Sequence, residues 1–244
     1  MAKTEMLYMQ DNYLKKFSAR IISTGENYVV LNQTAFYPLG GGQESDTGIM
    51  LHQGRTFTIT SVRRESGDVR HFFTETEGIP KKDEIVECEL DWEKRFTHMR
   101  YHSAIHVFSR YMQLEYKADV VGNNISIRSG RADFHLENSL TQEDLQKIED
   151  AVNNLIEQNF PININFMPRE EAIKFLNEKG YQTDYIDMVP PSVKIFRIIS
   201  VGEYDYASCA GTHVSNTSEI GRIKIVKRRS MGVGKERITL TLEQ

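Results

Sequence analysis

Apolar and polar positions alternate with a period of two through much of residues 1–91, the pattern of strands with one buried face. Residues 17–22 and 28–31 are apolar-rich runs on either side of Thr24-Gly25-Glu26-Asn27, and predict a hairpin. Residues 47–51 and 56–62 predict a second hairpin around His52-Gln53-Gly54-Arg55. Residues 69–73 and 84–90 predict two further strands. Short strands with frequent turn signals predict a small β-barrel, although alternation does not fix the strand order. One stretch departs from the pattern: Thr34-Ala35-Phe36-Tyr37-Pro38-Leu39-Gly40-Gly41-Gly42-Gln43. Three successive glycines lose much conformational entropy on ordering, and suit backbone that approaches a neighbour closely or needs positive φ. The bulky Phe36-Tyr37-Pro38 ahead of them favours an anchored loop over a flexible one.

The period changes at Asp91. This residue can cap a helix, and Glu93 suits its first turn. A helix over about 92–113 would turn Phe96, Met99, Ile105, Phe108 and Met112 to a core. Val120 to Asn124 reads as a loop, followed by a hairpin of 125–128 and 131–135 joined at Ser129-Gly130. Thr141 opens a second helix with an acidic first turn and an apolar face of Leu145, Ile148, Val152, Leu155 and Ile156. Residues 161–166 alternate as a strand, and Pro168 suits the first turn of a third helix ending near Lys179-Gly180. A connector runs to Pro190-Pro191, and residues 193–199, 221–227 and 236–242 predict strands, the last two joined across 230–234. The expected fold class is α+β. A small N-terminal β-barrel over 1–91 precedes a two-layer domain over 92–244, with helices on an antiparallel sheet.

Composition narrows the class. A chain of 244 residues with 39% hydrophobic content can build one large core or two modest ones. Mean hydropathy is −0.47, and no apolar run approaches the ~20 residues of a membrane helix. The N-terminus lacks the layout of a signal peptide. A soluble, cytoplasmic protein with no membrane partner is expected. The net charge of −4 argues against strong non-specific nucleic-acid binding. Against that average stands a basic run of Lys224, Lys227, Arg228, Arg229, Lys235 and Arg237. It suits either phosphate contacts or a charge-protected strand edge.

The two cysteines do not form a disulfide framework. Cys88 alternates with acidic residues and reads as a small buried hydrophobe. Cys209 is different, because His213 follows it at four positions, and His102 and His106 share the same spacing on the first predicted helix. Residues i and i+4 of a helix lie ~5–6 Å apart at Cβ and can grip one ion. Three imidazoles and a thiolate suit tetrahedral zinc, with Zn–N of about 2.0–2.1 Å and Zn–S of about 2.3 Å. A helical histidine pair can arise by coincidence, and a lone cysteine can be core. The two pairs together, with Gly211 in the second spacer, favour Zn²⁺. Ser103 stands where the zinc proteases place a glutamate base, which excludes that chemistry. His98 reads as a neighbour of the site or a surface residue; His52, His71 and His135 read as ordinary strand or loop positions.

His102-Ser103-Ala104-Ile105-His106 and Ser208-Cys209-Ala210-Gly211-Thr212-His213-Val214, followed by Ile220-Gly221, resemble the editing domain of alanyl-tRNA synthetase and its free-standing relatives, the AlaX family. Asp91-Trp92 with Arg95, Met99 and Arg100 resembles the entry to the first motif, and Arg131-Ala132-Asp133-Phe134 the strand after it. The loop 34–43 resembles that of the medium-length AlaX class. No aminoacylation domain before the barrel and no C-terminal extension are expected of that class. Two positions depart from the pattern: Ala210 stands where the family has glycine, and Val121-Gly122-Asn123 stands near where the short class has a threonine.

The resemblance implies a hydrolase that deacylates mischarged tRNA(Ala), chiefly Ser-tRNA(Ala), with Gly-tRNA(Ala) as a further candidate. It implies that His102, His106 and Cys209 hold Zn²⁺, with His213 as fourth ligand or close partner. Gly40, Gly41, Gly42 and Gln43 would border the substrate, with Thr34 and Asn123 near the amino-acid side chain. Lys224, Lys227, Arg228 and Arg229 would contact tRNA(Ala). The ion would either activate water or hold the substrate amino group, and no obligate protein partner is implied. A zinc-stabilised RNA-binding module without turnover and a metal hydrolase of small esters or amides remain as alternatives. The editing domain of threonyl-tRNA synthetase shares the general fold, but the glycine loop favours the alanine system.

Overall fold

A computed structural model describes residues 4–181, 183, 186 and 189–243. The expected connector up to Pro190-Pro191 therefore lies partly outside the described residues.

Strand β1 (Glu5–Met6) pairs in parallel with β4 (Gln33–Thr34). Six strands close a barrel: β2 (Lys16–Thr24), β3 (Tyr28–Leu31), β5 (Gly48–His52), β6 (Arg55–Glu65), β7 (Asp68–Phe73) and β8 (Ile85–Leu90). Their order is β2-β3-β7-β6-β5-β8, and β8 closes the ring by pairing antiparallel with both β2 and β5. The alternation puts Phe17, Ala19 and Ile21 of β2 inside, and Phe57 and Ile59 of β6. On β6 the next inward residue is Val62, because an irregularity between Ile59 and Ser61 shifts the period by one. Cys88 belongs to this core, and its burial, with Glu87 alongside, pushes its thiol up to about 12.

Helix α1 (Trp92–Tyr116) follows at once, with Asp91 at its entry. The Asp91 side chain accepts from the Lys94 N–H at 3.2 Å, and its carbonyl accepts from Arg95 at 3.0 Å. Then come β9 (Asp119–Ile125), β10 (Gly130–His135), α2 (Gln142–Glu157), β11 (Ile162–Pro168), α3 (Arg169–Glu178), β12 (Ile195–Val201), β13 (Asp205–Ser208), β14 (Ile223–Ser230) and β15 (Lys235–Leu242). They build a four-stranded sheet ordered β14-β15-β10-β9 and a three-stranded sheet ordered β11-β12-β13. Helix α2 packs against β14, and α3 against β11 and β12. The Thr141 hydroxyl accepts from the Asp144 N–H while Asp144 bonds back to Thr141, a reciprocal cap on α2.

Two local expectations are corrected. Residues 120–124 are strand, not loop. Gly122-Asn123-Asn124 has turn chemistry, but pairing in the sheet and a bridge from Ile125 to Gln43 hold it extended. The hairpin turn falls instead at Ser126 to Ser129, where the Ser126 N–H bonds the Ser129 carbonyl. Strand β13, four residues long, has no period of its own to announce it.

The chain groups into two compact units. The first comprises Met1–His102, Gly122–Gly130 and Gly211–His213; the second comprises Ser103–Val121, Arg131–Ala210 and Val214–Gln244.

Candidate metal centre

Helix α1 buries Met99, Ile105, Phe108 and Met112, and this stripe fixes its rotation. His102 is then 5% exposed and His106 half-buried, one turn apart. Cys209 and His213 lie just after β13. Arg197 clamps the cysteine backbone: the Cys209 N–H donates to the Arg197 carbonyl at 3.1 Å, and the Arg197 guanidinium donates to the Cys209 carbonyl at 2.7 Å. The His213 N–H donates to Asn12 Oδ1 at 2.7 Å, and the Asn12 amide donates to the Tyr8 carbonyl. The His102 and His213 rings lie 4.4 Å apart at their centroids. The Ser103 hydroxyl accepts from the Val214 N–H at 3.2 Å, so it braces the turn after His213.

One ligand atom from each of His102, His106, Cys209 and His213 lies within 4.8 Å of the others. A tetrahedral zinc site with ordinary bond lengths needs ligand atoms about 3.3–3.7 Å apart. The donor chemistry, three imidazoles and one thiolate, fits a borderline-soft divalent ion and not magnesium or calcium.

His102 and His106 each have their Nδ1 engaged. His106 Nδ1 meets Asp205 Oδ2 at 3.0 Å, and the other oxygen of Asp205 accepts from the Tyr181 hydroxyl at 3.1 Å. That hydroxyl is itself held by the Tyr206 N–H at 3.0 Å. Burial alone would lower the His106 pKa; hydrogen bonds from Asp205 and Cys209 outweigh it and raise the ring to about 10. A carboxylate on Nδ1 leaves Nε2 for a metal. His102 Nδ1 meets Gln43 Oε1 at 2.7 Å.

Two family profiles match the chain: tRNA synthetases class II (A) over residues 2–94, and the threonyl and alanyl tRNA synthetase second additional domain over residues 196–239. The alanyl-tRNA editing protein AlaX-M of Saccharolobus solfataricus is 32% identical over 98% of this chain and 99% of its own. That of Methanosarcina acetivorans is 34% identical over the same shares. The chain belongs to the AlaX-M family of alanyl-tRNA editing proteins. The alanine–tRNA ligase of Pyrococcus furiosus is 33% identical over 96% of this chain, which matches only 25% of the ligase.

In this AlaX-M member the glycine loop is anchored. Arg95, fully buried on α1, pairs with Asp46 and donates to the carbonyls of Ala35 and Asn12. The Tyr37 N–H donates to Asp46 at 2.6 Å and its hydroxyl to the Gly40 carbonyl at 2.8 Å. Gly41 and Gly42 take φ of +56° and +82°. A Cβ on Gly42 would stand 2.7 Å from the Asn123 carbonyl, so only glycine admits this approach. Asn123 Oδ1 is buried beside it without a hydrogen-bond partner. Gln43 is fully buried, and besides His102 it bonds Thr212. Thr34 is fully buried too, with its hydroxyl 2.8 Å from His71 Nε2 and accepting from the Phe36 N–H.

His98 is fully buried, which corrects its surface alternative; Glu44 lies 3.6 Å away, and burial lowers its pKa. Of the basic run, Lys224, Lys227, Arg228, Arg229 and Lys235 are exposed. Arg228 also pairs with Glu236 at 2.5 Å, and Arg237 with Asp133 at 2.7 Å. Asp205, Tyr181 and Asn12 carry no signal in their spacing. Asp205 sits four positions before Cys209, a relation that many strand-end acids satisfy by chance.

Proposed function

We propose that this AlaX-M member is a trans-editing hydrolase that cleaves the ester of mischarged tRNA(Ala), chiefly Ser-tRNA(Ala) with Gly-tRNA(Ala) as second substrate, at a zinc centre held by His102, His106, Cys209 and His213. The observation that carries it is the convergence of those four ligand atoms, in a chain that matches AlaX-M proteins end to end. The need for such an enzyme is physical. A pocket sized for alanine cannot strongly reject glycine or fully exclude serine, so a second site must remove the errors.

Zn²⁺ bound there would supply Lewis acidity and a charged anchor for the aminoacyl group. The chain's own residues do the rest. Asp205 holds the His106 ring by its Nδ1, so Nε2 is the nitrogen that would face the ion. Arg197 holds Cys209 by its backbone, so the thiolate stays on the side of the histidines. The unpartnered Asn123 Oδ1 accepts the serine hydroxyl. Alanine and glycine both leave that buried oxygen unsatisfied, so this contact favours serine over either, and glycine is expected to react more slowly than serine. Because the Thr34 hydroxyl is engaged with His71 and Phe36, discrimination falls to Asn123 in this scheme. The exposed Lys224, Lys227 and Arg229 hold acceptor-stem phosphates.

The test is deacylation of Ser-, Gly- and Ala-tRNA(Ala), with and without a chelator. Fast release of serine, slower release of glycine, sparing of alanine and loss of all three with chelator are expected. Equal, negligible rates on all three overturn the reading. Bound zinc without deacylation would point to an RNA-binding module.

A further inference from the structure

We infer that Gln43 is a positioning residue of the metal centre and not a substrate contact: its side-chain amide sets His102 in the Nδ1–H form, with Nε2 turned to the cluster, and does so without adding charge. The inference rests on the metal centre proposed above.

The hydrogen-bond network leaves one solution. Gln43 is fully buried, and both ends of its amide are used inside the protein. Its Oε1 faces the backbone N–H of Thr212 at 3.3 Å, and its Nε2 faces Thr212 Oγ1 at 2.9 Å. A backbone N–H only donates, so the group facing it must be the amide oxygen. The reversed amide would set an NH₂ against that N–H and leave a donor buried without an acceptor. With Oε1 so placed, it can only accept from His102 Nδ1, 2.7 Å away. The proton is therefore on Nδ1, and the lone pair of Nε2 is the one available to an ion.

The glycine loop delivers this amide on a rigid backbone. The Gln43 N–H donates to the Gly40 carbonyl at 2.9 Å, and the Gly40 N–H donates to the Gln43 carbonyl at 3.3 Å, closing the turn on itself. The turn is also fastened to β9: the Ile125 N–H donates to the Gly42 carbonyl at 2.6 Å, and the Glu44 N–H to the Ile125 carbonyl at 3.1 Å. Positive φ at Gly41 and Gly42 lets the chain reverse in the space available. On this reading the glycines place Gln43, and their backbone need not touch substrate to matter.

The choice of an amide is itself informative. His106 is oriented by a carboxylate, Asp205, and His102 by a neutral group. With a divalent ion, one thiolate and Asp205, the centre is formally neutral. A carboxylate at position 43 would orient His102 equally well but make the centre anionic. That would bind the ion at least as tightly and weaken its pull on the ester.

The experiment uses the full chain with Gln43→Leu and Gln43→Glu. In metal-free protein at about pH 8.5, above the ordinary imidazole range, ¹⁵N NMR of the imidazoles reads the His102 tautomer, assigned by comparison with His102→Asn. Zinc affinity is measured separately by competition with a chelator. Wild type is expected to show Nδ1–H at His102. Gln43→Leu should lose that bias and bind zinc about 10–100-fold more weakly. Gln43→Glu should keep the tautomer, bind zinc at least as tightly as wild type, and release serine from Ser-tRNA(Ala) at least tenfold more slowly. A Leu variant with wild-type tautomer and zinc affinity within twofold overturns the proposal. If Gln43→Leu fails to fold, the near-isosteric Glu variant decides: a tenfold loss of its zinc affinity also overturns it. The tautomer is read without metal or tRNA. Failure of wild type to bind zinc or to deacylate would therefore sink the functional reading, while the NMR still reports on Gln43.

Discussion

A methyl group on Gly211 would stand 2.0 Å from His102 Cε1 and 2.3 Å from its Nδ1. Neither the ring, held by Gln43, nor the backbone beside Thr212 can yield by that much. Gly211→Ala is therefore expected to lower zinc affinity at least tenfold while the barrel still folds, as chelator competition and circular dichroism would show. Asp205→Asn tests the other histidine. It removes the charge that holds the Nδ1 proton of His106 and can present an NH₂ to it, with an expected loss of about 10–100-fold in zinc affinity. Unchanged affinity would remove Asp205 from the centre. The clustering of His102, His106, Cys209 and His213 was legible in the sequence because their residue types are rare and their i, i+4 spacing carries geometry. Their orienters were not. Asp205 and Gln43 act through approaches that join residues 99 and 59 positions apart, and no local pattern encodes those.

The barrel strands were legible for a related reason. Alternation survives wherever a strand has one buried face, and it located β2, β3 and β5 to β8 within a few residues. Closure was not legible, because nothing in residues 85–90 says that β8 must pair with two partners. Strand β9 misled because its Val120 and Val121 are exposed, so its apolar residues do not mark a core face. The barrel also encloses a histidine that alternation could not separate from its neighbours. His71, fully buried on β7 with Thr34, has its pKa lowered by desolvation from 6.5 to about 4. The folded state thus disfavours the protonated ring, and the unfolded chain binds more protons between those values. Stability is full above pH 6.5 and falls as pH drops toward 4, by up to about 3 kcal/mol from this group alone. Urea midpoints across that range should show the decline, and His71→Gln, which can still bond Thr34, should flatten it. An unchanged slope in the variant would assign the acid sensitivity to other groups.

At the scale of the whole molecule, a net charge of −4 coexists with a basic hairpin, and the two readings of that hairpin make opposite predictions. Strand β14 is an edge of its sheet, where charge can simply deter edge-to-edge pairing. Its residues divide by partner. Lys224, Lys227 and Arg229 are exposed, and the register sets Arg229 opposite Arg237, a like-charge pair that a chain gains nothing from for stability. Arg228 is committed to Glu236, which is only 2% exposed. If the hairpin holds tRNA phosphates, Lys227→Ala and Arg229→Ala should each weaken tRNA(Ala) binding and lower the slope of log K against log salt by about 1. Arg228→Ala should leave that slope nearly unchanged and cost about 1 kcal/mol of stability, because it strands a buried carboxylate while Arg228 itself is partly solvated. If the charges only guard the edge, the Lys227 and Arg229 variants keep wild-type salt slopes and instead self-associate, which sedimentation detects. A salt titration of the three single variants therefore separates a nucleic-acid surface from a protected edge, because only the first couples Lys227 and Arg229, and not Arg228 in its ion pair with Glu236, to counterion release.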